Sequence, residues 1–141
     1  MTQMERTLTI IKPDAVRDAH TGAIIEKIES VGFKIVALKM LHLSHRQAEC
    51  FYAEHRDKRF YDELIDYMTA SAVVVAVLEK ENAVEDYRRL VGETDPRRAE
   101  RGTLRALYGR DVTQNSLHAS DSIHSARREC SFFFSESEMT I

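Results

Sequence analysis

One run of residues constrains the fold more than any other part of this chain. Residues 72–78 read AVVVAVL, without a single polar side chain. Valine is stiff at χ1 and favours extended backbone, and seven residues is an ordinary strand length. A strand that is apolar at every position must be covered on both faces. We therefore expect a central strand here, inside a domain of layered sheet and helices.

The spacing of apolar residues predicts the remaining helices and strands. Apolar residues at helical spacing predict helices that are listed here by approximate range: 24–31, 48–55, 61–68, 83–91 and 122–128. Three further strands are predicted at 7–11, 33–43 and 130–134. Ser44 with Gln47 is a capping-box signature, and Asp121 or Ser122 can cap the last helix. Reduced to its core, the order is βαββαβ, the ferredoxin-like pattern. We predict an α+β sandwich with a four-stranded, mainly antiparallel sheet and helices packed on one face.

Composition predicts one globular domain over residues 1–141, with 135–141 as a loose polar tail. Hydrophobic residues make up 43% of the chain and charged residues 30%, which is typical of soluble proteins. The formal net charge of −3 gives no overall basic field, so nucleic acid is a disfavoured partner. No stretch approaches the roughly 20 apolar residues of a membrane span, and no signal peptide is evident. A cytoplasmic location is the default, and two isolated cysteines suggest neither a disulfide framework nor a metal site.

The segment 92–115 loses periodicity and carries five arginines. A long loop within a compact domain is usually functional or disordered. The common nucleotide and hydrolase motifs are missing from the sequence: no GxxxxGK[ST], no GxGxxG, no kinase HRD or DFG set, and no GxSxG. If this chain handles phosphorylated ligands, it must do so without the usual glycine-rich cradles.

Of the six histidines, His118 has the most suggestive setting. It lies in NSLHASDS, residues 115–122, just before a predicted helix start, where backbone N–H groups favour anions. A neutral imidazole is a competent nucleophile near neutral pH. Spacing alone favours an ordinary surface loop followed by a capped helix over a catalytic role for His118. The other five histidines are expected to be surface or satisfied residues, because a zinc site at His42 and His45 would need further ligands.

The segment 115–122 closely resembles the nucleoside diphosphate kinase signature, usually Asn-x-x-His-Gly-Ser-Asp-Ser. The resemblance extends over residues 5–134. Matching blocks occur in the family's order at 5–8, 11–16, 37–40, 48–52, 92–96 and 101–105. Such agreement is far more specific than any single block.

The resemblance implies a catalytic group made of His118, Glu129, Ser120 and Lys12. His118 would take the γ-phosphate of a nucleoside triphosphate, mainly ATP, and pass it to a nucleoside or deoxynucleoside diphosphate in a ping-pong reaction. Glu129 would hydrogen-bond the other imidazole nitrogen, and Ser120 would support it.

The resemblance also implies the residues that hold the nucleotide. Phosphate contacts would come from Lys12, Arg88, Thr94 and Arg105, with Tyr52 close by. Asn115 and Lys12 would contact the sugar hydroxyls, and Phe60 would stack on the base. Stacking accepts any base, since each base has a π-face. Mg²⁺ would be the cofactor, bridging the nucleotide's phosphates without ligands from protein side chains.

The family further implies a homo-oligomer, either a tetramer or a hexamer built from a common dimer. Two alternatives remain open at this point. One is a binding module that keeps the fold without turnover, and the other is a regulatory role such as nucleic-acid binding or protein phosphorylation. The co-occurrence of the catalytic and phosphate-binding residues argues against the first. The charge argues against nucleic acid.

The sequence departs from the family's pattern at three places. Ala119 stands where glycine is usual, and a positive φ would strain alanine by about 1 kcal/mol or more. We therefore predict a negative φ at Ala119. Residues 70–72, Ala-Ser-Ala, replace the usual Ser-Gly-Pro, which is expected to loosen that turn, and Lys80 replaces a common glycine.

Overall fold

The computed structural model describes residues 4–112 and 114–140. Its centre is a four-stranded sheet in the order β2-β3-β1-β4. The strands are β1 Met4–Ile11, β2 Lys34–Leu41, β3 Val73–Glu81 and β4 Leu117–Ala119. The three strand pairings in this sheet are antiparallel.

Seven α-helices occur in the described ranges: α1 Pro13–Arg17, α2 Thr21–Ser30, α3 His45–Phe51, α4 Tyr61–Met68, α5 Ala83–Val91, α6 Leu104–Tyr108 and α7 Ile123–Phe133. Short 3₁₀ turns occupy Ala53–His55 and Glu136–Glu138. The βαββαβ order and the α+β class predicted from the sequence are confirmed. None of the helices in these ranges is long and apolar enough to cross a membrane.

Strand β3 is the central strand that the AVVVAVL run predicts. Val73, Val75 and Val77 belong to one buried cluster, while Val74 and Leu78 belong to another on the opposite face. Helices α2 and α5 contribute to the second cluster, as the predicted sandwich requires. The first cluster is covered by α3, α4 and α7. The prediction of helices on one face only is therefore wrong, because a strand that is apolar on both sides needs cover on both.

The predicted strand at 130–134 is also wrong, since α7 runs from Ile123 to Phe133. The aromatic run at its end favours a strand locally. However, Ala126, Glu129, Cys130 and Phe133 are buried at intervals of three and four residues, which is the period of one helix face. Tertiary burial thus overrides local β propensity in this segment.

The fourth strand is β4, within the stretch that precedes the last helix. It has three residues, too few to show a period of two. It pairs with β1 so that Thr9 faces Ala119 and Ile10 faces His118. This short pairing at the sheet edge brings the NSLHASDS segment next to the end of β1.

The tail makes more contacts than a loose segment would. Glu138 Oε2 accepts from Lys39 Nζ at 3.1 Å, and Thr140 N donates to the carbonyl of Val36 at 2.7 Å. Both partners lie on β2, so residues 136–140 are held against the edge strand of the sheet.

Candidate active site

The hydrogen bonds around His118 form a chain that ends on the backbone of β1. His118 Nε2 lies 2.7 Å from Glu129 Oε1. Ser120 Oγ donates to the same carboxylate oxygen at 2.7 Å and accepts from the N–H of Leu8 at 3.3 Å. Because a carboxylate can only accept, Nε2 carries the proton in this pair. Nδ1 is then the nitrogen with a free lone pair, and the described residues give it no hydrogen-bond partner.

Glu129 is 8% exposed, and its environment keeps it ionised. Burial by itself raises the pKa of the Glu129 carboxyl. The hydrogen bonds and charge of His118, together with the hydroxyl of Ser120, outweigh that effect and lower the pKa below its ordinary value. The carboxylate is therefore available to hold an imidazole, including one that becomes positively charged.

Lys12 follows directly after β1 and is only 7% exposed. Its Nζ donates to Asn115 Oδ1 at 2.8 Å. The amide nitrogen of Asn115 in turn donates to the carbonyls of Thr94 and Val112, at 3.1 and 3.0 Å. Burial and the positive charge of Arg105 lower the pKa of Lys12 to about 7. The charged form of Lys12 therefore lacks a full counter-charge in the protein.

Arg105 lies on α6 and reaches two backbone carbonyls. Its Nη1 donates to Gly92 at 3.1 Å and its Nη2 to Leu117 at 2.7 Å, next to His118. Its Nε is buried with no partner among the described residues. Burial lowers the pKa of Arg105 to about 10. Arg88, on α5, makes a long contact of 3.4 Å with the carbonyl of Asp121, which leaves most of its donors uncommitted.

These side chains line one cleft of about 1210 Å³. The predicted site residues on its surface are Lys12, Tyr52, Phe60, Arg88, Thr94, Arg105, Asn115, His118 and Glu129. Ser120 does not line the cleft and is fully buried behind Glu129. The structure thus brings the predicted residues together around one concave site, which is large enough for a nucleotide.

Tyr52 and Phe60 lie on the same wall but differ in exposure. The hydroxyl of Tyr52 is buried with no partner among the described residues. Burial, with the charge of Glu129, raises the pKa of Tyr52. Phe60 is 47% exposed at the rim. One aromatic therefore offers an unused polar atom inside the cleft, and the other offers an open ring face at its mouth.

Comparisons with known proteins agree with this geometry. A family model described as nucleoside diphosphate kinase matches residues 5–139. The chain is 55% identical over 136 residues to a nucleoside diphosphate kinase of Histophilus somni (strain 2336), covering 96% of each chain. It is 54% identical to one of Pasteurella multocida (strain Pm70), covering 96% of this chain and 98% of that one. The chain belongs to the nucleoside diphosphate kinase family.

Solved structures show the same fold. The Aquifex aeolicus nucleoside diphosphate kinase superposes with a TM-score of 0.95 at 40% identity, covering 98% of this chain and all of that chain. A halophilic nucleoside diphosphate kinase from Halobacterium salinarum, solved in complex with CDP, gives a TM-score of 0.95 at 35% identity. That match covers 99% of this chain and 93% of that one. This chain is accordingly an enzyme that transfers phosphate between nucleotides.

Sequence reasoning missed several residues of the cleft. His55 lines it, with Nδ1 buried and unpartnered among the described residues, although it was expected to be an ordinary surface or satisfied histidine. Phe51 and Arg128 line it as well. The spacing of Tyr52 and His55 on one helical stripe was the available signal for His55. Arg128 could have been suspected from its position next to Glu129.

The backbone of the NSLHASDS segment accommodates Ala119 without strain. Ala119 belongs to β4 and is not among the residues with positive φ, as predicted. The left-handed residue is instead Ser116, with a φ of 69°, and it is fully buried. The strain in this segment therefore lies two residues before the histidine rather than one residue after it.

Proposed function

We propose that His118 Nδ1 is the nucleophile of the phosphate transfer. The observation that carries this proposal is the 2.7 Å contact between His118 Nε2 and Glu129, which commits one nitrogen and leaves the other free on a cleft-lining side chain. In the first half-reaction, the Nδ1 lone pair forms a bond to the γ-phosphorus of a nucleoside triphosphate, mainly ATP. The bond from that phosphorus to the bridging oxygen breaks, and its electron pair leaves with the diphosphate.

The proton stays on Nε2 throughout this step. The phosphorylated imidazole then carries positive charge, which the Glu129 carboxylate stabilises across its hydrogen bond. In the second half-reaction, a terminal oxygen of an acceptor nucleoside or deoxynucleoside diphosphate attacks the same phosphorus, and the electrons return to Nδ1. Ser120 supports Glu129 from behind, through a hydroxyl that is itself fixed to Leu8.

The cations of the cleft are proposed to hold the phosphates. Phosphoryl transfer spreads negative charge over the equatorial oxygens, so donors that are already in place do most of the catalysis. Lys12, Arg88 and Arg105 supply positive charge, and Thr94 and the unpartnered hydroxyl of Tyr52 supply further polar contacts. The incoming phosphates provide the counter-charge that Lys12 and Arg105 lack in the free protein.

The nucleoside is proposed to lie toward the mouth of the cleft. Lys12 and Asn115, joined at 2.8 Å, would contact the sugar hydroxyls. Phe60 would stack on the base with its exposed ring face. Stacking does not read base edges, so this arrangement suits an enzyme that accepts several nucleotides.

Mg²⁺ is the proposed cofactor, bound to the phosphates of the nucleotide rather than to a protein cage. The donor set of the cleft fits this arrangement. Lys12, Arg88 and Arg105 would repel a bare metal ion, whereas Mg²⁺ that arrives on a triphosphate brings its own oxygen ligands. Within residues 4–112 and 114–140, no group of three or more His, Cys, Asp or Glu side chains could hold a metal ion.

Three further proposals follow from the sequence expectations, and of these the assembly rests on the family alone. The chain forms one domain over residues 1–141, it assembles into a tetramer or hexamer built from dimers, and it works in the cytoplasm. Sedimentation of the purified protein would distinguish the two assemblies.

A label-transfer experiment tests the proposed mechanism. The protein is incubated with γ-³²P-ATP and Mg²⁺, separated from nucleotide, and treated with acid or alkali. We expect an acid-labile, alkali-stable label that peptide mapping places on His118, and unlabelled GDP or dCDP should carry it away as triphosphate. A label on a hydroxyl, or transfer without any labelled protein, would contradict the phosphohistidine route. Protein that binds nucleotide but never labels would instead favour the binding-module alternative.

A further inference from the structure

Arg128 makes contacts that the proposed chemistry does not use. It precedes Glu129 on α7, and its Nη2 donates to the carbonyls of Cys50 at 2.9 Å and Phe51 at 3.2 Å. These are the last two carbonyls of α3, which ends at Phe51. Carbonyls at a helix C-terminus lack intrahelical partners and carry partial negative charge. Arg128 therefore ties the end of α3 to the helix that holds His118 through Glu129.

The ring of Phe51 extends this link to the nucleophile. The guanidinium carbon of Arg128 lies 5.9 Å from the ring centroid. The same ring meets His118 edge-on at 5.4 Å between centroids, and meets Tyr52 at 4.9 Å. Two neighbouring residues of α7 thus act on the two sides of His118: Glu129 by a direct hydrogen bond, and Arg128 through the aromatic wall beside it.

The wall that Arg128 holds belongs to the α3–α4 hairpin, residues 45–68. Besides Phe51 and Tyr52, this hairpin supplies five residues that line the cleft: Glu54, His55, Lys58, Phe60 and Leu64. It packs on the sheet and α7 mainly through buried apolar side chains. Apolar packing is non-directional. A guanidinium fork, by contrast, fixes the direction of approach.

Few polar contacts tie this hairpin to the rest of the described chain. Tyr67 pairs with Asp14 near the end of α4, and Arg128 pairs with Cys50 and Phe51 at the end of α3. The Tyr67 contact lies on α4, after Phe60. The Arg128 contact reaches the carbonyl of Phe51, whose ring meets His118, so it joins the hairpin to the His118–Glu129 pair.

We propose that Arg128 is a positioning residue that sets the α3–α4 hairpin relative to His118, through the carbonyls of Cys50 and Phe51. This inference rests on the proposed role of His118 as nucleophile. The hairpin carries the base-stacking and inner aromatic residues, so its placement decides how closely Phe60 meets the base of a nucleotide whose phosphates lie at His118, and therefore how tightly the nucleotide is held. Arg128 touches neither substrate nor reacting atoms in this role.

The test compares Arg128→Met with Arg127→Met in steady-state kinetics. Methionine keeps much of the apolar stem and removes the donors, and Arg127 is an exposed neighbour without a hydrogen bond in the described structure. We expect Arg128→Met to raise the KM for ADP and GDP roughly five- to tenfold, the net scale of one ordinary hydrogen bond, with kcat changed less than about twofold. Arg128→Lys should recover part of the loss, because an ammonium also satisfies helix C-terminal carbonyls. Arg127→Met should match the wild type.

A double-mutant cycle with Phe60→Ala separates positioning from general destabilisation. If Arg128 acts by placing the hairpin, its effect on KM should shrink once the stacking ring of Phe60 is gone. An effect of equal size on both backgrounds, or a lysine variant no better than methionine, would overturn the proposal. So would kinetics for Arg128→Met equal to those of Arg127→Met.

Thermal unfolding and label transfer complete the comparison. Arg128→Met should unfold within a few degrees of Arg127→Met. A large drop in the unfolding temperature of Arg128→Met, with no change in its KM, would show that Arg128 has a structural role only. Labelling of His118 in the wild type is measured in parallel. If the wild type fails to label, the proposed mechanism itself fails. If the wild type is labelled but Arg128→Met and Arg127→Met have the same KM, the mechanism stands and only the positioning role of Arg128 is contradicted.

Discussion

The two sides of the cleft are built in different ways. On the sheet side, Lys12, His118 and Glu129 sit on or next to β1, β4 and α7. Lys12 is held by Asn115 at 2.8 Å, and His118 is held by Glu129 at 2.7 Å. On the hairpin side, Phe60 lies after a 3₁₀ turn and is half exposed. Strand register leaves little freedom, whereas helix ends and loops move more readily. The groups proposed to handle the phosphate are therefore held tightly, whereas the wall proposed to contact the base is held more loosely.

The largest expected effect comes from removing the proposed nucleophile. His118→Gln should abolish the acid-labile label and lower kcat by a factor on the order of 10⁴ or more, because no covalent intermediate can form. The matched control is His124→Gln, an exposed histidine on α7 outside the cleft. It should label and turn over like the wild type. Residual label transfer in His118→Gln would show that another group, with His55 the nearest candidate in the cleft, carries the phosphate.

The next effect concerns the charge of Lys12 and its dependence on pH. In the free enzyme the pKa of Lys12 is about 7, so the side chain is mostly neutral at pH 8. Bound phosphates favour the charged form and raise that pKa. Between the two values, nucleotide binding must take up a proton, and affinity should fall by up to about tenfold per pH unit as the pH rises. Below pH 7 the lysine is already charged, and affinity should level off.

Calorimetry can measure this proton directly. ADP binding at pH 8, titrated in two buffers with different heats of ionisation, should show uptake approaching one proton. Lys12→Arg keeps a permanent charge and should bind with little uptake. Equal heats in both buffers for the wild type would mean that Lys12 is already charged in the free enzyme. The pKa of Lys12 would then not be lowered by its burial and by Arg105.

The sheet side was also the more predictable side from sequence. The AVVVAVL run determines β3, and the NSLHASDS segment, through its family resemblance, marks His118. The resemblance also marks its partner Glu129, although the strand predicted at 130–134 is wrong. That error came from local propensity: Phe132 and Phe133 favour a strand, while the helical burial of Ala126 and Cys130 depends on tertiary packing.

The hairpin side could be predicted only where the family resemblance reached. Tyr52 and Phe60 matched the family, but His55 and Arg128 carried no motif of their own. Their place in the cleft depends on how α3 ends and where α7 crosses it, which is long-range geometry that a periodicity in sequence does not encode. Ser116 is similar, since its left-handed backbone follows from the β4 pairing rather than from its residue type.

Phe60→Ala tests whether the exposed wall contributes binding without selectivity. Losing one stacked ring should raise KM roughly tenfold, the lower part of the range for base stacking. The ratio between ADP, GDP and CDP should stay nearly constant, because stacking reads no base edges. The ring is half exposed, so the unfolding temperature should change little. A loss confined to purine nucleotides would show that the wall is selective after all.

The smallest effects should come from two glycine substitutions on the sheet side. Ser116 has positive φ and a buried hydroxyl with no partner among the described residues, so Ser116→Gly removes both costs and should stabilise the protein by about 1 kcal/mol. Ala119 is extended within β4, so Ala119→Gly gains nothing there and should destabilise by about 0.5–1 kcal/mol.

Chemical denaturation measures both free energies of unfolding. If Ser116→Gly raises the free energy of unfolding and Ala119→Gly lowers it, the backbone of this chain does not require the glycine that usually follows the histidine in this family. Stabilisation by Ala119→Gly would contradict the extended conformation at that position. If Ser116→Gly stabilises the fold but lowers kcat, the left-handed serine is strain that helps to hold His118 in place, and the sheet side is then tight because part of it is strained.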